Sequence, residues 1–169
     1  MKYAVFVLLV MFVTSPCWPQ NSDVPSKEEI TELVQKADEK VTNFEAANES
    51  AKTLVSDSVF QKGREAASTA HTIISAVKKN GPSAYALVGL IVTLDDVSLN
   101  AANGAQGISR RAMADAVSGK TVSLNALAAA DALNVAQSSL TDISELVTHA
   151  TLRLIKAEET VIQNSAKQQ

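Results

Sequence analysis

The chain of 169 residues carries 15 Lys and Arg against 18 Asp and Glu, a formal charge of −3. That balance excludes the broad basic face that nucleic-acid binding needs. A single cysteine excludes a disulfide scaffold, and an aromatic content of 4% weighs against a roomy ligand pocket lined with large rings.

The N-terminal segment reads as a targeting signal. Lys2 gives a positive start, Ala4 to Val13 is an almost unbroken apolar run, and Ser15 and Cys17 supply small residues at the −3 and −1 positions of a cleavage site. The run is shorter than the ~20 residues a membrane span needs. The expected division is a secretory signal peptide over 1–17, a polar leader over 18–25 and a single domain over 26–169. Removal of 1–17 takes the only cysteine and one of the basic residues, leaving 14 basic against 18 acidic and a charge near −4. The exported chain then has no disulfide, no thiolate and no cysteine metal ligand. About 150 residues suffice to build one core by burial alone.

Ser26 reads as an N-cap, with Glu29 three residues on completing a capping box. A first apolar stripe follows at Ile30, Val34, Ala37, Val41, Phe44, Asn48, Ala51 and Val55. It resumes one step out of phase at Val59, Gly63, Ala66, Ala70, Ile73 and Val77. A four-residue insertion of this kind is a stutter. The spacing predicts one long helix over 27–79 that bends or is interrupted near Ser56 to Gly63. Asn80-Gly81-Pro82 ends it, since Gly suits the position after a helix and Pro cannot continue one.

Ala84 to Leu94 is apolar in every direction, which predicts a helix that is buried or meets a membrane. Those eleven residues alone are too few to span one. The stripe continues through Ala101, Ala105, Ile108 and Ala112, with interruptions expected at Asn103-Gly104 and Gly107. Gly119-Lys120 closes the segment.

In the last third, twelve apolar residues fall at alternating spacings of four and three: Val122, Ala126, Ala129, Leu133, Ala136, Leu140, Ile143, Val147, Ala150, Leu154, Ala157 and Val161. A strict 3.5 repeat places them on one slowly winding stripe that needs partner helices. Leu133, Leu140 and Leu154 are its bulkiest members, and with Ile143 and Val147 they make up the expected core stripe. No segment alternates as a strand does. The predicted fold is all-α: an antiparallel bundle of three long amphipathic helices, four or five if the breaks are real, with coiled-coil-like heptad packing. The turns at Asn80–Pro82 and Ser118–Lys120 are short, as antiparallel neighbours require.

Motifs that carry chemistry are few. Ala114 to Thr121 reads Ala-Asp-Ala-Val-Ser-Gly-Lys-Thr, the loosest form of a phosphate-binding loop, but no strand precedes it. A helix–helix turn, with Gly119 as C-cap and Thr121 as N-cap, is the plainer account. His71 and His149 each lie beside a stripe residue and would meet across two helices in a metal site. Yet positions 75 and 153 hold Ser and Arg, so neither histidine has a ligand one turn on. Asp95-Asp96 is an acidic pair without an evident base, and no nucleophile elbow is present. Arg110-Arg111 is a dibasic pair on a helix face. Asn48-Glu49-Ser50 is a glycosylation sequon, yet Asn48 also sits on the first stripe, where one buried Asn sets helix register.

These features predict a secreted, extracellular, non-enzymatic protein without a cofactor or bound metal. Its partner would be another protein or a second copy of itself, met through long helix faces. In broad outline the exported chain also resembles the insect apolipophorin III class: secreted, cysteine-free, of similar size and built from amphipathic helices. The resemblance rests on architecture along the whole exported chain and implies exchangeable lipid binding. Ala84–Leu94 departs from it, being more uniformly apolar than a helix that opens onto lipid. A third expectation makes that segment the inserting element of a small membrane-active toxin.

Overall fold

The structure, a computed structural model, describes residues 24–166. The signal peptide read over 1–17, and most of the 18–25 leader, lie outside the described residues. The described chain is all-helical: four helices, α1 (Lys27–Ala51), α2 (Asp57–Asn80), α3 (Ala84–Val117) and α4 (Leu124–Ala166), pack against one another.

Each start has a local cause. Ser26, Ser56 and Ser83 are extended, and their hydroxyls accept the backbone N–H of Glu29, Val59 and Ala86 at 3.1, 3.4 and 3.2 Å. Each satisfies one of the orphan donors of a helix start. The capping box forms only by half. The Glu29 carboxylate turns away to Arg153 Nη1 of α4, 2.7 Å off.

The expected long helix over 27–79 is instead two helices. It breaks at 52–56, just ahead of the predicted region, because Ser56 and Asp57 offer a cap and an acidic first turn. The chain reverses there rather than bending. Phe60 closes the corner, its ring lying under Lys52 Nζ at 5.2 Å and Arg64 at 5.9 Å from the centroid. The reversal also corrects the second stripe. Its buried set is Phe60, Gly63, Ala67, Ala70, Ile74 and Val77, with Val59, Ala66 and Ile73 only half-buried. α2 touches both α1 and α3, so its apolar face is wider than one seam.

α3 runs unbroken through Asn103-Gly104 and Gly107, where interruptions were expected. Gly104 faces the core, where a methyl group would stand 3.0 Å from Leu133 Cδ1. The glycine lets α3 and α4 approach, and packing outweighs its poor helix propensity. Burial of Ala84–Leu94 is one-sided, contrary to expectation. Leu87, Leu90 and Leu94 are buried, whereas Tyr85, Val88 and Val92 are exposed.

α3 closes with Gly119 at φ +70°, its N–H on Ala116 O, and Lys120 N–H on Asp115 O. This is a Schellman-type end, for which glycine alone suits the left-handed residue. α4 begins at Leu124, with Ser123 O accepting its first backbone bonds, so Thr121 is not a cap and Val122 lies in the turn.

From Ala129 to Ala150 every predicted member of the last stripe is buried, and Leu140 is completely so. Ala126, Leu154 and Ala157 are half-buried. Contacts set the register between neighbours. Asn48 meets Phe60, Asp38 meets Lys78, Asp95 meets Ser144, Ser98 meets Thr141, and Glu29 meets Arg153. Between α1 and α2, and between α3 and α4, numbers rise on one helix as they fall on its neighbour.

Candidate functional site

The residues singled out in the sequence do not converge. Leu133, Leu140, Ile143 and Val147 form the core wall of α4, with Leu154 packed partly against it. Asn48 is buried, and its Nδ2 donates to Phe60 O at 3.2 Å. That nitrogen is the atom a glycan would occupy, so this packing uses Asn48 as a register pin between α1 and α2. Gly63 makes room for it: a methyl group at 63 would lie 2.9 Å from Asn48 Nδ2 and 3.1 Å from Phe44 Cζ.

His71 and His149 do not share a site. His71, on α2, is held by α1: its Nδ1 lies 2.8 Å from Asp38 Oδ1 and its Nε2 3.2 Å from Glu45 Oε2. Lys78 Nζ donates to the other Asp38 oxygen at 2.6 Å. The two ring nitrogens point apart, so these carboxylates do not converge on one point where a cation would sit. Among the described residues no group of three or more His, Cys, Asp or Glu is placed to hold a metal. Partial burial pushes the Asp38 carboxyl up, but hydrogen bonds from Lys78 and His71 outweigh it and hold the group below its ordinary 3.8. The cluster is an inter-helix clasp.

Asp95 accepts the Ser144 hydroxyl at 2.7 Å, and Ser98 shares a hydrogen bond with Thr141 at 3.1 Å. These contacts are polar rungs between α3 and α4. The loop-like motif around Gly119-Lys120-Thr121 is the helix–helix turn itself, with helix, not strand, before it.

An open groove of about 450 Å³ lies between Ala46, Ala47 and Ser50 of α1 and Ala132, Ala136 and Ser139 of α4. Its lining is mostly small side chains, with Lys40, Asn43 and Val135 the larger ones.

The surface is more distinctive than any pocket. On α3, Tyr85 (90% exposed), Val88, Val92 and Leu99 form a second apolar row, spaced three, four and seven. It lies opposite the buried row of Leu87, Leu90, Leu94, Val97 and Ala101. Sequence reasoning noticed the all-round apolarity of Ala84–Leu94 but not that one side would stay uncovered. α3 is also long and apolar enough to cross a membrane by length and composition, with mean hydropathy 1.3 over its most apolar 18 residues. A second exposed apolar group, Met113, Val117 and Leu124, stands at the α3–α4 turn.

Comparison with family models, curated proteins and solved structures returns no match for this chain.

Proposed function

We propose that the protein is a secreted, non-enzymatic module, an antiparallel helical bundle with heptad-like seams, that docks through a helix face onto another protein or a second copy of itself. The observation that carries this reading is the exposed row Tyr85, Val88, Val92 and Leu99. Its spacing is that of a coiled-coil seam without a partner. Exposed contiguous apolar surface of this kind marks interaction sites in soluble proteins.

The test is the molecule's size across a concentration series, with a photo-crosslinker at position 92 of the exported protein in its native medium. Association, or a discrete adduct, that disappears in Val88→Asp with unchanged thermal stability supports the reading. A monomer at every concentration, with no adduct, refutes it.

Lipid binding, implied by the likeness to the apolipophorin III class, draws support from the length and apolarity of α3. A carrier of that kind opens its core, so lipid should abolish the contacts between helices. Loss of Asn48 amide protection on adding vesicles would favour this second reading.

A further inference from the structure

The register places the α3–α4 turn well away from the rest of the bundle. A methyl group at Gly104 would lie 4.0 Å from Val55, in the turn between α1 and α2. α3 then continues for thirteen residues to Val117, roughly 20 Å at the helical rise. The end of this hairpin is apolar and exposed: Met113 is 71% exposed, Val117 85% and Leu124 80%, with Leu127 at 47%. Burying these side chains against the hairpin's own core is not an option, because Ile108, Ala112, Ala129 and Ala130 already fill it.

Charge distinguishes this end from the α3 row. Residues 109–128 contain Arg110, Arg111 and Lys120 against a single acid, Asp115, and all three basic side chains are exposed. Asp115 lies 3.7 Å from Lys120. The tip is thus net positive in a chain whose formal charge is −3. Apolar side chains ringed by Arg and Lys are the chemistry of a shallow anchor in an anionic bilayer surface. The apolar groups enter the headgroup–acyl boundary by ~5–10 Å while the cations stay among the phosphates.

We propose that the α3–α4 hairpin tip docks the intact bundle onto membranes that expose anionic lipid. Met113, Val117, Leu124 and Leu127 insert, and Arg110, Arg111 and Lys120 contact headgroups. Docking of this kind leaves the core closed and the α3 row free, so it is separable from the protein-docking reading.

Flotation of the full exported chain with vesicles tests it. The probes are phosphatidylcholine alone and phosphatidylcholine with roughly one part in three phosphatidylglycerol, in low salt and in salt high enough to screen the surface. The expected result is flotation with anionic vesicles in low salt only. Val117→Asp with Leu124→Asp should abolish it, and Arg110→Glu with Arg111→Glu should weaken it on the order of tenfold or more. All four side chains are exposed, so circular dichroism melts of these variants should match the parent. Val88→Asp, on the α3 row, should float like the parent. Failure of the parent to float with anionic vesicles overturns the proposal. Flotation that survives the tip substitutions also overturns it, and would assign lipid contact to the opened core or the α3 row.

Discussion

Gly104 and Gly107 lie three residues apart inside α3, and substitution by alanine should stabilise at Gly107 but not at Gly104. In a helix interior alanine is better than glycine by about 1 kcal/mol. At Gly107 a methyl group meets nothing within 4 Å. The whole propensity gain should appear, raising the melting temperature by roughly 3–5 °C for a domain of this size. At Gly104 the methyl would stand 3.0 Å from Leu133 Cδ1. Leu133 is 1% exposed, so its δ-methyl has almost nowhere to go. Overpacking of this kind costs about 1–3 kcal/mol, which cancels or outweighs the propensity gain. The two variants should therefore differ by about 1–3 kcal/mol. A cycle with Leu133→Val isolates the cause. With that δ-methyl gone, Gly104→Ala should become harmless, giving a coupling of about 1 kcal/mol or more. The assay is thermal melting by circular dichroism on the four variants and the parent. Equal gains at both glycines would mean that α3 and α4 do not approach closely at 104. Equal losses would mean that the helix breaks there after all.

Three further outcomes follow from the packing. Leu140→Asp buries an unpaired carboxylate at a fully covered position and should cost several kcal/mol, about half of a typical domain's stability, whereas Ser138→Asp on the exposed side should cost about 0.5 kcal/mol or less. Matching denaturant midpoints for the pair would disprove the α4 register. Asn48→Ala removes the bond to Phe60 O and should cost about 1–2 kcal/mol, and a glycan found on Asn48 by mass spectrometry of the protein from its native source would contradict the α1–α2 packing. The Asp38 carboxyl is held below its ordinary 3.8, so its contribution to stability is complete above that value and is lost as pH falls through the lower folded value. Melting temperature followed down through the acid range should fall more steeply in the parent than in Asp38→Asn, and parallel curves would show that the Lys78–Asp38–His71 clasp contributes nothing.

Helix content and the buried faces of α1 and α4 were legible in the chain by itself. The last stripe was readable because its apolar residues sit on a 3.5 repeat, and burial from Ala129 to Ala150 follows it residue by residue. Periodicity reports which side of a helix is apolar, and that is a local property. Where the chain turns back is not. The out-of-phase stripe marked an event near Ser56, but a bend and a reversal leave the same pattern, and only contacts such as Asn48 to Phe60 separate them. Glycine was ambiguous for the same reason. Gly104 and Gly107 look alike in sequence, and only the position of Leu133 makes one a packing contact and the other an open helix surface. The tertiary structure also decided what stays uncovered. An all-round apolar segment such as Ala84–Leu94 cannot declare which side its neighbours will leave bare. That depends on where α2 and α4 lie, and hence so do the exposed row on α3 and the apolar, basic tip of its hairpin.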